Sequence, residues 1–259
     1  MKIGIIFCAF DCEDLIEKSL TPWIEASSVI DDIAEIGVVS VPFKDFEPRD
    51  NQKTVAKIQN MLFSAPEKVK SFLLSQNEPV TEAEARNMPL QYFLEKEFDL
   101  IWMVDADEYY SLQEIKNIIK FVENNPLTAW FSINFKNYIF NDKTWIDGFR
   151  PPRIFRTSCD CFTLKEFYWD NDLNYEHRIV KDRPVAYTQL PSQNVPKALA
   201  QVTHITWLSD ERSKRKVEYQ KKHFGDCSFD WSEENNKLIF NPLYFLKHGA
   251  PLPIVNKDE

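Results

Sequence analysis

The stretch WMVDADEYYS, residues 102–111, drives an apolar run into three carboxylates, Asp105, Asp107 and Glu108, and then into two tyrosines. Residues 98–104 (FDLIWMV) read as a strand, because the run is short, apolar and bounded by polar residues. A strand that ends in acids belongs at the carboxyl edge of a mostly parallel sheet, where open α/β folds bind ligands. Alternation aims Asp105 and Asp107 to one side. Two hard oxygen donors there suit Mg²⁺ or Mn²⁺, which can in turn hold the phosphates of a nucleotide. The same acids also make sense as groups that cap the following helix, since a carboxylate near a helix N-terminus interacts favourably with its dipole.

The flanking sequence supplies the rest of an α/β pattern. Ser111-Leu-Gln-Glu114 is a capping box, and Ile115, Ile118, Ile119 and Val122 form the apolar stripe of the helix it starts. Residues 2–9 are an apolar run followed by Ile16, Leu20, Trp23 and Ile24 at helical spacing, a β-α opening. Residues 33–43 (IAEIGVVSVPF) read as a second strand. Residues 82–95 read as a helix with Ala85, Met88, Pro89 and Tyr92 on one face, bent at Pro89. Between them, residues 44–79 are polar and helix-prone and read as an insertion. Past Asn125 the aromatic, proline-punctuated segments AWFSINF, NYIF and FRPPRIFR suggest an antiparallel extension. Residues 201–208 resemble a late strand and 210–224 a charged helix. The expected organisation is one α/β domain over 1–225, with a C-terminal extension, 226–259, packed on it.

Composition bounds the function. The 259 residues are 44% hydrophobic and 14% aromatic, enough for a substantial core. A net charge of −9 disfavours nonspecific attraction to nucleic acid or anionic lipid. Five glycines leave little material for a glycine-rich phosphate loop. The cysteines, Cys8, Cys12, Cys159, Cys161 and Cys227, are odd in number and form no paired CxxC, which favours a reducing compartment; Cys159-Asp-Cys161 reads as structural. The N-terminal apolar stretch ends in acids and is shorter than a signal peptide core or a membrane span, so a cytoplasmic protein without a transmembrane segment is expected.

With these pieces placed, a family resemblance emerges. Glu84-Ala-Arg-Asn87, then Leu90, Phe98-Asp-Leu-Ile101 and Val104-Asp-Ala-Asp-Glu108 resemble the "ARN…hhhhDaDE" core of family-2-type glycosyltransferases with the GT-A fold. Residues 5–13 (IIFCAFDCE), followed by Ile16 and Ser19-Leu20, are similar to the family's first strand and its "YNEE…SL" turn. Arg153-Ile-Phe-Arg156 resembles "RxFR", and Tyr175-Glu-His177 resembles the "HE" acceptor-side motif with its order reversed. His204 stands where many members carry a late histidine. The resemblance spans residues 1–222 and leaves 44–79 and the C-terminal tail unmatched.

The resemblance implies a Rossmann-like, mostly parallel central sheet with helices on both faces and a smaller antiparallel acceptor-side extension. It implies a metal-dependent transfer of a hexosyl or pentosyl group from a nucleotide-diphosphate sugar to an acceptor hydroxyl; for an acidic chain without a membrane helix, that hydroxyl is expected on a glycan. Phe10 and Asp11 match the turn against the donor base, and Arg86 and Asn87 the helix lining the nucleotide pocket. Asp105 and Asp107 match the DxD, one reaching ribose or metal and the other the Mn²⁺ or Mg²⁺, and His204 would add a metal or diphosphate contact. Glu176 is the first candidate base, with Asp170 and Asp172 in the same acidic loop, WDNDLNYEH; a salt bridge from Glu176 to Arg178 or Arg183 is the structural alternative. Where the family often places an aspartate to read uracil, this chain has Val39-Ser40-Val41, which leaves the donor nucleotide open.

Other readings share these features. The six Lys/Arg residues at 212, 214, 215, 216, 221 and 222 read as the solvated face of a helix, or as a dock for DNA carrying a hydroxylated base. A nucleotidyltransferase would use the same sheet and paired carboxylates, but AFDCED lacks its glycine-rich first loop. A non-catalytic nucleotide-sugar binder would not need an intact DADE.

Overall fold

The chain folds in the order β1 (Ile3–Cys8), α1 (Ile16–Val29), β2 (Ile33–Ser40), α2 (Gln52–Phe63), β3 (Ser71–Ser75), α3 (Glu82–Glu95), β4 (Leu100–Asp105), β5 (Glu108–Tyr109), α4 (Leu112–Glu123), β6 (Trp130–Ser132), β7 (Phe135–Ile139) and β8 (Thr144–Ile146). It continues through β9 (Pro152–Arg156), β10 (Ser158–Cys159), β11 (Phe162–Thr163), β12 (Glu166–Trp169), β13 (Glu176–Val180), β14 (Arg183–Ala186), β15 (Ser192–Asn194) and β16 (Val202–Trp207). The last elements are α5 (Asp210–Phe224), β17 (Phe229–Ser232), β18 (Lys237–Phe240), α6 (Pro242–Lys247) and β19 (Val255–Lys257). This computed structural model describes residues 1–259 apart from 45–50, 148–149, 160–161, 164–165, 170–175, 181–182, 187–189, 226, 236, 249–251 and 259. Two compact units result: Met1–Asn134 with Arg150–Val202, and Phe135–Phe149 with Thr203–Glu259.

The first unit is a mixed α/β structure around a seven-stranded sheet ordered β15-β6-β9-β4-β1-β2-β3. Strands β3, β2, β1 and β4 run parallel, whereas β9 is antiparallel to both β4 and β6. The side chains of β4 explain the layering. Trp102 meets Trp23 of α1 edge-on at 4.8 Å, while its neighbours Ile101 and Met103 pack with Leu90 and Phe93 of α3. Successive residues of a strand face opposite sides, so α1 and α3 cover opposite faces. Buried on both, β1 needs its continuous apolar run, and Ile3, Ile5, Ile6 and Phe7 are fully buried. A Cβ at Gly4 would lie 2.9 Å from the Phe93 ring, so the glycine there permits α3 to settle on β1.

The helices obey their caps. Ser111 and Glu114 form the expected capping box of α4, whose buried residues are Ile115, Ile118, Ile119 and Val122. A second box, Thr81 with Glu84, opens α3, which runs on through Pro89. Its buried face is Ala83, Ala85, Pro89, Leu90 and Phe93 rather than the expected row through Met88 and Tyr92. Tyr92 is only half-buried because its hydroxyl reaches out to donate to Glu35, at 3.0 Å. Residues 44–79, expected as an insertion, instead supply α2 and β3, the crossover and edge strand of the central sheet. Their polarity has a cause: α2 buries only Thr54 and Ile58, and β3 is half-buried at the sheet edge.

Antiparallel pairs complete this unit, β10 with β11 and the three-stranded sheet β12-β13-β14. Strand β12 lies against α3.

The second unit holds strands in the order β19-β8-β7-β16 and the β17–β18 hairpin. Its core joins Ile139, Trp207, Val217, Cys227, Phe229 and Leu238. The late strand and charged helix, expected within 1–225, therefore share a core with the C-terminal segment. Lys136 and Tyr138 both bond Asp258, the latter donating at 2.5 Å. No helix among the described residues is long and apolar enough to cross a membrane.

Candidate nucleotide-binding site

The carboxyl ends of β1 and β4 lie side by side. Cys8 is in register with Asp105, and the Ala106 N–H donates to the Cys8 carbonyl at 3.0 Å. Strand β4 stops at Asp105, and a turn leads into β5. Across this turn exposure alternates: Asp105 and Asp107 are half-buried, whereas Ala106 and Glu108 are buried. The acid stretch thus splits into two outward carboxylates and one inward.

The inward one meets Arg153. This arginine, on β9, is 8% exposed and donates through Nε and Nη2 to Glu108 Oε1 at 2.8 and 2.5 Å. Its Nη2 also donates to Asp105 Oδ2 at 2.9 Å, so one guanidinium bridges Asp105 to Glu108. The Tyr110 hydroxyl donates to Glu108 Oε2 at 3.0 Å. Burial pushes the Glu108 carboxyl up to about 8, with Arg153 pulling against that rise. Burial also works against the Arg153 charge, but Glu108 and Asp105 outweigh it and hold the guanidinium well above its ordinary value.

Arg86 approaches Asp105 from α3, with Nη2 3.6 Å from Oδ1, and pairs with Glu82 one turn back on its own helix. Its Nε is buried and has no hydrogen-bond partner among the described residues. Asn87 follows on the same helix and is half-buried. Cys8 lies alongside, and burial pushes its thiol up to about 12, with Arg86 pulling against that rise.

At the end of β1, Phe10 lies 5.7 Å from the Phe43 ring, and Asp11 adopts a left-handed backbone, φ 47°. Asn51 accepts from the Asp11 N–H at 3.0 Å and donates to Ser40 Oγ at 2.9 Å. Thr54 accepts from the Cys12 N–H at 3.0 Å.

The remaining candidates stand elsewhere. His204 belongs to the second unit, 6% exposed, with Nδ1 2.7 Å from Asn137 Oδ1. Donation from Nδ1 to that amide oxygen leaves the lone pair on Nε2, the form a metal requires. Glu176 opens β13 opposite Trp169, and only its backbone place is described; Asp170 and Asp172 lie outside the described residues. The basic run on α5 is partly neutralised within its own unit: Lys214 pairs with Glu233 at 2.8 Å and Lys221 with Asp230 at 2.6 Å, while Lys216 sits over the Trp207 ring.

Two partners escaped the sequence reading. Arg153 and Arg156, matched together to "RxFR", divide their work. Arg153 serves the acids, and Arg156 donates to the Thr128 and Val122 carbonyls at 3.0 and 2.7 Å, the latter at the end of α4. The other is Asn51. A signal for Arg153 existed, an arginine within an otherwise apolar strand segment, but its partner lies 45 residues away.

The residues present fit a divalent cation in one manner. Among the described residues no three His, Cys, Asp or Glu side chains converge to hold an ion. Asp105 already accepts from a guanidinium, which leaves Asp107 as its half-buried companion; Mg²⁺-type sites of one or two carboxylates are completed by substrate phosphates and water.

No family model and no curated protein matches the chain. Among solved structures, it is similar to S. aureus TarS 1-349 in complex with UDP-GlcNAc at 17% identity and TM-score 0.43, covering 61% of this chain and 46% of that one. The same protein in complex with UDP is similar at 15% identity and TM-score 0.45, over 91% of this chain and 68% of that one. A mycobacterial protein is similar at 14% identity and TM-score 0.36, over 52% and 41%. The chain spans about half the length of the first of these structures.

Proposed function

We propose that the chain is a GT-A glycosyltransferase that moves a sugar from a nucleotide-diphosphate donor to an acceptor hydroxyl, on a glycan, with Mn²⁺ or Mg²⁺ as cofactor. One observation carries the reading: two half-buried carboxylates, Asp105 at the end of the central strand and Asp107 in the turn after it, lie beside the end of β1, and Asp105 is approached by Arg86, whose buried Nε has no partner among the described residues. Ligands of parallel sheets bind at that edge.

Each residue then has a task. Phe10 and Asp11 lie against the donor base, and Arg86 and Asn87 line the nucleotide, Arg86 presenting its unused donor to the diphosphate. Asp105 accepts from the ribose or holds the cation, and Asp107 holds the cation. A bound divalent ion would supply charge stabilisation as the diphosphate leaves. Arg86 contributes in the same sense, because a preorganised donor in a water-poor site is worth more than in solution. Glu176 takes the proton from the attacking hydroxyl, with Asp170 and Asp172 as the alternative bases. Backbone contact of β12 with α3 supports this, since β12 and β13 are paired and α3 carries Arg86. The thiols of Cys8, Cys12 and Cys227 support a reducing, cytoplasmic setting. The ion pairs of Lys214 and Lys221 favour a glycan over DNA as acceptor, because they reduce the charge open to phosphates.

A thermal-shift screen of UDP-, GDP-, CDP- and dTDP-sugars with Mn²⁺ tests the donor. One of them should raise the melting temperature, since a ligand of the folded state alone stabilises it; no shift with any of them counts against the reading. Glu176→Gln should slow turnover by about 10²-fold or more with donor affinity retained, the scale of a general base. If Asp170→Asn or Asp172→Asn does this instead, the role passes to that residue.

A further inference from the structure

The edge of β2 holds Ser40, which is fully buried, where a base-reading acid was absent from the sequence. Asn51 stands at the N-terminus of α2, a position where asparagine commonly caps its own helix. Here it makes no such bond. Both of its polar atoms are spent sideways: Oδ1 accepts from the Asp11 N–H at 3.0 Å, and Nδ2 donates to Ser40 Oγ at 2.9 Å. The Asp11 backbone is left-handed, a conformation uncommon outside glycine, asparagine and aspartate, and the Asn51 bond helps hold it. The adjoining Cys12 N–H is likewise held from α2, by Thr54. One side chain therefore ties together the ends of β1 and β2, and Phe10, the residue before Asp11, meets the Phe43 ring at 5.7 Å.

We infer that Asn51 is a positioning residue that sets nucleotide specificity: acting through Asp11 and Ser40, it fixes the slot that receives the base of a nucleoside diphosphate. The inference rests on the proposed glycosyltransferase reading. It assigns selectivity to a helix-borne amide that reaches the slot only through the two strand ends.

The test is calorimetric titration of the full chain, in Mn²⁺, with UDP, GDP, CDP and dTDP. Wild type should prefer one of the four. Asn51→Ala should weaken that nucleotide about tenfold, the scale of a lost hydrogen bond, and flatten the ratio to the others. Asn51→Asp keeps an acceptor for the Asp11 N–H and lets the Ser40 hydroxyl donate, so it should restore the preference to within about threefold. A purely structural bond would lower the melting temperature and leave the ratio among nucleotides unchanged; that result overturns the inference. If Asn51→Ala does not fold, Ser40→Ala, which removes one of the two bonds, decides: a preference reduced about threefold supports the inference, and an unaltered preference overturns it. Wild type binding none of the four would instead refute the glycosyltransferase reading, and the inference with it.

Discussion

Arg153→Met should lower the unfolding free energy by about 3–5 kcal/mol at pH 9, the cost of leaving a buried charge without its partner. The charge in question is Glu108, which has no exposure to solvent and receives two donors from the one guanidinium. The loss should depend on pH. Burial raises Glu108 to about 8 in the folded state. A carboxyl raised above its unfolded value contributes stability that is fully present below the unfolded value and lost as pH rises through the folded one. Below pH 8 the carboxyl keeps its proton with or without Arg153, and the variant's deficit should be smaller. Above it wild type ionises beside the guanidinium, whereas the variant's carboxyl, raised further once Arg153 no longer pulls it down, must hold its proton, so the deficit widens. Adding Glu108→Gln to Arg153→Met should recover most of the pH 9 loss, because the two positions belong to one network and are not additive. Urea melts at pH 6 and 9 measure all of this. Equal deficits at both values, or no rescue, would show that the ionisation of Glu108 is not coupled to Arg153.

Asp107→Ala should abolish transfer, by about 10²–10³-fold or more, with a fold as stable as wild type to within about 0.5 kcal/mol. Its carboxylate is half-buried at the turn after β4, so deleting it opens no core cavity. Excess EDTA should have the same effect on wild type, and added Mn²⁺ should reverse it. Full turnover in EDTA would end the metal-dependent reading, and an Asp107→Ala enzyme of normal rate would remove this residue from the site. The paired measurement separates the two carboxylates. Asp105 is tied to Arg153, so Asp105→Ala should cost stability as well as activity.

Much of the fold was legible along the chain because its signals are local. An apolar run buried on both faces marked β1 and β4, and a serine with a glutamate three residues later marked the start of α4. The DADE stretch marked a sheet edge for the same reason: an apolar strand can meet acids only where it leaves the core. Alternating exposure then gave Asp105 and Asp107 one environment and Glu108 another.

What the sequence left undecided depends on long-range pairing. Residues 44–79 looked like an insertion because an edge strand and a helix with a narrow buried face carry little hydrophobic periodicity; only hydrogen bonding of β3 to β2 identifies them as part of the central sheet. The division of Arg153 from Arg156 is of the same kind. Two arginines on one strand are chemically equal in the sequence, and it is packing that sets one against Glu108 and Asp105 and the other against the carbonyls near the end of α4. Asn51 stands in the polar stretch 44–79 with no local signal of its role. Only the approach of β1 and β2 brings Asp11 and Ser40 within its reach, because hydrogen-bond geometry, unlike helix propensity or apolar patterning, exists only once distant segments have been brought together.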